Sequence, residues 1–140
     1  VQAAEVQPND NDSVPAALVM ASPYSFEGTV SNLRDAIINS NFILIREQAW
    51  DYGLESSETN SRETILYFCN FDMVNRAIKL DRRFGQLLPF RITIVARGDH
   101  VMAMTINPET IMQVSDSPGL EGINARTASM YRQILDEGLF

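Results

Sequence analysis

The chain has 140 residues, of which 45% are hydrophobic, and this is enough for one ordinary domain with a real core. Its 11 basic and 18 acidic residues give a net charge of −7, which repels nucleic-acid backbones and anionic lipid surfaces. No apolar run reaches the roughly 18 residues that a membrane span requires. We therefore expect neither a nucleic-acid partner nor insertion into a membrane.

The opening segment, Val1–Pro15, is polar and has no apolar periodicity. We expect residues 1–20 to be a flexible tail or linker and residues 21–140 to form a single domain. The chain begins with valine rather than methionine, which would follow from a removed export signal and equally from trimming. The first alternative predicts a periplasmic or otherwise exported bacterial protein.

The first half of the chain predicts a strand, a helix, a second strand and a loop. Tyr24–Gly28 is a short strand candidate, and Thr29 is a suitable N-cap for the helix that follows. Residues 42–50 alternate between apolar and polar as a strand does. Residues 51–62 are polar and show neither period, so they predict a loop.

The second half continues with a strand, a helix, two strands and a last helix. Glu63–Cys69 is apolar on both faces, which is typical of a central strand covered on two sides. Asn70 is a natural cap for the next helix, and Pro108 ends the second of the later strands. The final helix is predicted from about Glu121 to Glu137. The order is therefore β-α-β-β-α-β-β-α, an α+β arrangement.

The two later strands form a predicted hairpin. Gly98-Asp99 is a two-residue turn with glycine at its first central position. A two-residue turn at this position sets the register of the two strands, in which Arg97 pairs with His100 and Val95 pairs with Met102. One face of the hairpin is nearly all apolar and suits a core covered by helices; it carries Ile92, Ile94, Ala96, Val101, Ala103 and Thr105.

A family resemblance comes from several short motifs in succession. They are Ile65-Leu66-Tyr67-Phe68-Cys69-Asn70, the helix with Met73–Ile78, Leu87-Leu88-Pro89, the hairpin, and Asn107-Pro108. This succession resembles the family catalogued as domain of unknown function 302, and the likeness covers most of the chain. It implies an α+β fold with a curved antiparallel sheet backed by helices, and a homodimer. The resemblance also implies a soluble protein of bacterial or archaeal type. Some members of the family lie beside cytochrome domains, so we expect a cytochrome or other redox protein as a partner.

Two positions depart from the family pattern. Family members often carry proline where this chain has Phe71, and a second cysteine where it has Phe90. These departures weaken any thiol-pair or thiol-metal chemistry that the resemblance would otherwise imply.

The second face of the hairpin predicts a cofactor site. It carries the only histidine of the chain together with two cations and two thioethers, and imidazole and thioether are both axial ligands of haem. The single cysteine excludes the Cys-x-x-Cys-His attachment of haem c, so we expect haem b or a similarly flat cofactor. The predicted metal ligand is His100. The predicted cofactor contacts are Arg91 and Arg97 with the propionates, and Val95, Met102 and Met104 with the porphyrin plane.

Strand geometry limits how this site could work. Met102 lies only about 6.5 to 7 Å from His100 and points the same way, so it cannot bind the far side of the same haem. In a two-fold homodimer the partner's His100 would supply the second ligand. These residues predict a noncatalytic binding domain with a possible role in electron transfer or gas sensing.

Three alternatives stay open on the sequence alone. The same face could pack in a structural or regulatory dimer without any cofactor. Copper(I) could bind His100, Met102 and Met104, although the spacing would require a distorted strand. Cys69 precedes a helix and could be the nucleophile of a thiol-dependent enzyme, but no adjacent basic residue would activate it.

Overall fold

The computed structural model describes residues 16–50, 61–113 and 117–140, with the side chains of residues 50 and 61 excepted. In chain order the elements are β1 (Ala17–Ala21), α1 (Phe26–Asn39), β2 (Ile43–Trp50), β3 (Ser61–Cys69), α2 (Phe71–Leu80), a 3-10 helix (Arg82–Leu87), β4 (Phe90–Arg97), β5 (His100–Ile106), a second 3-10 helix (Pro108–Gln113) and α3 (Leu120–Leu139). This order of strands and α-helices confirms the predicted α+β class.

The strands form one antiparallel sheet in the order β1-β5-β4-β3-β2. The helices cover one of its faces, where alternate side chains of β3, β4 and β5 are buried. Leu66, Ile92, Ile94 and Ala103 have no exposed surface there. Among the described residues no helix covers the other side of the sheet, as expected for an antiparallel sheet with a single helical layer.

Four aromatic rings fill the middle of this core: Phe42, Phe68, Phe90 and Tyr131. Their contacting centroids lie 5.2 to 6.4 Å apart, in tilted or edge-to-face arrangements. The Tyr131 hydroxyl forms a hydrogen bond with the Thr105 hydroxyl, and burial raises the pKa of Tyr131. The cluster therefore ties α3 to the sheet through both apolar and polar contacts.

The first strand differs from the prediction. It is Ala17–Ala21, paired with β5, whereas Tyr24–Gly28 contains a bend and the start of α1. The predicted boundary at residue 21 was therefore too late, because residues 17–20 already belong to the sheet. An edge strand with three of its five residues exposed carries too little hydrophobic alternation to be recognised in the sequence.

The helix caps divide into one correct and one wrong prediction. Asn70 caps α2 as predicted, because its side chain accepts a hydrogen bond from the Met73 N–H at 3.0 Å. The cap of α1 is Ser25, not Thr29, and it accepts from the Gly28 N–H at 2.9 Å. Thr29 lies one turn inside the helix, where it is fully buried and its hydroxyl donates to the Ser25 carbonyl.

Other predicted boundaries are close to the observed ones. The final helix is longer than predicted by one residue at its start and two at its end. Of the predicted loop at 51–62, residues 61 and 62 belong to β3 and the rest lie outside the described residues. The opening segment to residue 15 also lies outside them.

The hairpin has the predicted register. Arg97 pairs with His100, Val95 with Met102, and the ladder continues to Ile92 and Thr105. Gly98 has φ of 61° at the first central position of the turn, a conformation that glycine adopts without strain. This register decides which side chains share the face that no described helix covers, since a slip of one residue would exchange the two faces.

Candidate functional site

We call the side of the sheet that no described helix covers the open face. It is formed by the side chains of β1, β3, β4 and β5 that point away from the helices: Ala17, Val19, Ala21, Glu63, Ile65, Tyr67, Arg91, Thr93, Val95, Arg97, His100, Met102, Met104 and Ile106. All six residues predicted for a cofactor site lie on it. The observed register places them on the same side of the sheet, whereas their roles stay predictions.

The six residues differ in exposure along the face. Arg91, Arg97 and His100 are exposed, because they stand at the two ends of the hairpin strands. Val95, Met102 and Met104 are half-buried among neighbouring side chains of the same face. Among these six residues, the apolar side chains lie in the middle of the strands and the cationic and imidazole side chains lie at their ends.

A groove of about 450 Å³ lies at the turn end of the open face and is called the His100 groove. Its walls are Ala21, Ser22, Arg97, Asp99, His100, Val101 and Met102. This volume falls within the range of about 300 to 1,000 Å³ that is usual for small-molecule sites. The groove brings together three of the six predicted residues, namely His100, Arg97 and Met102.

The wall supplied by Ala21 and Ser22 was not predicted. It exists because β1 pairs with β5 and the Ser22 N–H donates to the Val101 carbonyl at 2.8 Å. These contacts hold the end of β1 beside His100. The alternation of Leu18 and Met20 with smaller residues was the only signal of this strand in the sequence.

The two arginines stand at opposite ends of β4. Arg97 pairs directly with His100, whereas Arg91 is six residues away along the strand, or about 20 Å. Within the described part of the chain neither guanidinium forms an ion pair; the ion pairs there involve Arg34, Arg62, Arg76, Arg83 and Arg132. Both cations are thus available to an anionic ligand, but at separate places.

A second cavity, called the Arg91 pocket, lies at the other end of the open face. It has a volume of about 300 Å³ and is lined by Tyr67, Gln86, Leu87, Leu88, Pro89, Phe90, Arg91 and Ile106. Half of this lining comes from the first 3-10 helix and the residues after it. Its position depends on tertiary packing, which is why no local pattern in the sequence predicted it.

A metal site made only of protein side chains was sought in residues 16–50, 61–113 and 117–140. Among them no three side chains of the types His, Cys, Asp and Glu are grouped so that they could hold a metal ion. His100 and Met104 are four residues apart on one strand, or about 13 Å, so joint binding of one copper ion would require a distorted strand. A haem iron differs from a free metal ion, because it needs only one protein ligand, such as an imidazole, on each face of the porphyrin.

Cys69 lies at the end of β3, immediately before the Asn70 cap. It is 3% exposed, and burial raises the pKa of its thiol. Since the thiolate is the reactive form, a raised pKa makes nucleophilic chemistry at neutral pH unfavourable. Cys69 therefore occupies the environment of a small apolar side chain in the hydrophobic core, to which the preceding residue, Phe68, also belongs.

We expect the Cys69 thiol to react slowly in the folded protein. Ellman's reagent should modify it at least about a hundredfold more slowly than in denaturant, because reaction requires local opening of a buried strand end. The measurement is the absorbance of released thionitrobenzoate with and without urea at mildly alkaline pH. Equal rates in the two conditions would show an exposed, reactive thiol and revive the thiol-enzyme hypothesis.

Together these features define an α+β domain whose antiparallel sheet is helix-covered on one face and presents a candidate ligand site on the other. The chain matches the family described as domain of unknown function DUF302 over residues 18–138, and it belongs to that family. The resemblance predicted from the sequence is thereby confirmed. A comparison with curated proteins gives no match.

The fold is also similar to a solved structure. A crystal structure of an uncharacterized conserved DUF302 protein from Bacillus stearothermophilus superimposes with a TM-score of 0.72 at 15% identity. The match covers 89% of this chain and 98% of the other. At this identity the likeness concerns the fold alone. Within the described residues, no helix has the length and apolar character needed to cross a membrane.

Proposed function

We propose that this domain binds haem b, or a similarly flat and anionic ligand, through His100 on the open face of a two-fold homodimer. The observation that carries the proposal is the His100 groove. There the only imidazole of the chain lies in a ligand-sized depression beside a thioether and a guanidinium that has no ion pair among the described residues. The proposed activity is the binding of a cofactor, which would serve electron transfer or gas sensing. The proposal does not include catalysis on a substrate.

The residues present fit a haem in three respects. His100 is exposed and can turn a ring nitrogen toward an iron atom. Met102, one step along β5, and Val95, opposite Met102, would contact the macrocycle with apolar surface, and Met104 extends that surface. Arg97 lies directly across from His100, where its two-pronged guanidinium suits a propionate.

One protomer supplies only part of an enclosing site. The His100 groove is open to solvent, whereas small-molecule sites usually enclose most of their ligand. A two-fold axis over the open face would place the partner's His100 on the other side of the ligand and complete the enclosure. In each protomer Arg91 lies about 20 Å along the strand from His100, so the proposal assigns the propionates to the Arg97 side chains.

A bound haem would supply one-electron chemistry or a position for a diatomic gas. The chain's own residues would hold it, orient it and reduce its contact with water. A cytochrome or other redox protein is the partner that fits the electron-transfer use. We also propose export to the periplasm. This part of the proposal rests only on the polar composition of the opening segment, Val1–Pro15.

A cofactor-free dimer is the second candidate function, and one observation favours it. The middle of the open face carries the apolar side chains of Val95, Met102 and Met104 beside Thr93 and Glu63. Val19 is 60% exposed next to the half-buried Met104. Burying such a side chain against a second copy would stabilise a dimer without any ligand. In this alternative His100 and Arg97 would form the polar rim of an interface.

Titration with haemin separates the two candidates. We expect the purified protein to bind haemin with a shifted Soret band and a stoichiometry of one haem to two chains, measured by absorbance and sedimentation equilibrium. His100→Ala should weaken binding by about a hundredfold or more, because the iron loses its ligand. Arg97→Gln should weaken it by about tenfold, through loss of a charge-assisted hydrogen bond.

The matched control is Arg126→Gln, which removes an exposed guanidinium from α3, in the helical layer on the other side of the sheet from His100. It should leave the affinity for haemin unchanged. A protein that is dimeric without haemin and takes up none would favour the cofactor-free dimer. Uptake that survives His100→Ala at full affinity would reject His100 as the ligand.

A further inference from the structure

We infer that the Arg91 pocket is a second ligand site, independent of the His100 groove, which binds a small amphiphilic carboxylate. The two sites share the open face but lie at opposite ends of β4 and β5, about 20 Å apart along the strands. A ligand of ordinary size cannot occupy both. The inference therefore does not depend on the proposed binding of haem.

The charge of the ligand follows from Arg91. Its side chain is exposed, lines the cavity and has no ion pair within the described part of the chain. In a protein with a net charge of −7, a guanidinium that has no carboxylate partner among the described residues is available to an anion from outside. Guanidinium groups match carboxylates through two parallel hydrogen bonds.

Two neutral polar groups stand at the same cavity. Tyr67 pairs with Arg91 across β3 and β4, so that their side chains project from the same face, and Gln86 lines the pocket from the 3-10 helix. A phenol and an amide can each donate one hydrogen bond to a carboxylate oxygen. Neither adds charge, so the set suits a singly charged carboxylate better than a phosphate dianion.

The rest of the lining is apolar and fixes the other end of the ligand. Leu87, Leu88 and Ile106 are half-buried around the cavity, and the buried Phe90 also lines it. A volume of about 300 Å³ is at the lower end of the range of about 300 to 1,000 Å³ that is usual for small-molecule sites. The geometry suits a medium-chain or aromatic carboxylate, with its tail against the leucines and its head at Arg91.

Octanoate is the probe, and octanol is its uncharged counterpart. Titration followed by two-dimensional ¹H–¹⁵N NMR should show saturable shifts at Tyr67, Leu87 and Ile106, with octanol binding at least about tenfold more weakly. Arg91→Gln should weaken octanoate binding by about tenfold to a hundredfold, and Tyr67→Phe by a few fold. Arg91→Lys should fall between wild type and Arg91→Gln, because it keeps the charge and loses the two-pronged geometry.

The matched control is Arg97→Gln, which makes the same change in charge at the other end of the same strand. It should leave octanoate binding unchanged while it weakens binding of haemin, so failure of either proposal is visible separately. Three results would overturn the inference: no saturable shifts at millimolar octanoate, equal binding of octanol, or equal weakening by Arg97→Gln and Arg91→Gln.

Discussion

Replacing Gly138 with alanine should destabilise the protein by about 2 kcal/mol, although alanine is the better helix former. Gly138 lies near the end of α3, where that helix crosses α1. A Cβ at this position would overlap the Cδ2 atom of Leu33 and would lie 2.9 Å from its Cγ and 3.2 Å from its Cα. Leu33 is fully buried, so it cannot turn away, and the added methyl must separate the helices.

A matched control lies in the same helix. A Cβ on Gly122 meets no atom of the described residues within 4 Å, and the residue is exposed. Gly122→Ala should therefore stabilise by about 0.5 to 1 kcal/mol, through the unfolded state and helix propensity alone. Urea denaturation measures both free energies of unfolding.

The overlap can be tested directly by making space. Leu33→Ala removes the atoms that the new methyl would meet, so Gly138→Ala should cost far less in the Leu33→Ala background than in wild type. A coupling energy of about 1 to 2 kcal/mol is expected from the double-mutant cycle. Destabilisation of equal size in both backgrounds would show that the Gly138–Leu33 approach is not its cause.

Truncation of Phe68 should have the largest effect of any single substitution considered, about 3 to 5 kcal/mol for Phe68→Ala. The ring is fully buried and contacts three others, with centroids 5.5 Å from Phe42, 5.8 Å from Phe90 and 5.4 Å from Tyr131. Its removal leaves a cavity at the point where the sheet meets α3. Since domains of this size are stable by only about 5 to 15 kcal/mol, much of the folding free energy depends on this ring.

Phe71→Ala is the control for loss of a phenyl ring as such. Phe71 begins α2 and is 50% exposed, so its truncation should change the free energy of unfolding by no more than about 0.5 kcal/mol. Denaturant titration followed by circular dichroism measures both variants. A Phe68→Ala protein as stable as Phe71→Ala would contradict the central place of the aromatic cluster.

Local chemistry determines the parts of this fold that were predicted correctly. Gly98 at the first central position of a two-residue turn fixes the hairpin register, and the register fixes which side chains share the open face. Asn70 before an amphipathic run similarly fixes the start of α2. In both places a residue's own backbone preference agrees with the packing of its neighbours.

The parts that were missed depend on distant residues. Strand β1 has little pattern of its own and is held by pairing with β5, some 80 residues away in sequence. Ser25 and Thr29 are both good N-caps, and burial of Thr29 against the core decides between them. The Arg91 pocket likewise requires the 3-10 helix to pack beside β3 and β4, a contact between segments that no local pattern encodes.

The absorption spectrum of a His100→Gly variant loaded with haemin, recorded with and without free imidazole, tests the proposed site most directly. If His100 is the iron ligand, the variant loses the shifted Soret band of wild type, and free imidazole restores it by entering the space that the side chain left. A His100→Gly protein that binds haemin with the spectrum and affinity of wild type, without imidazole, would contradict ligation by His100.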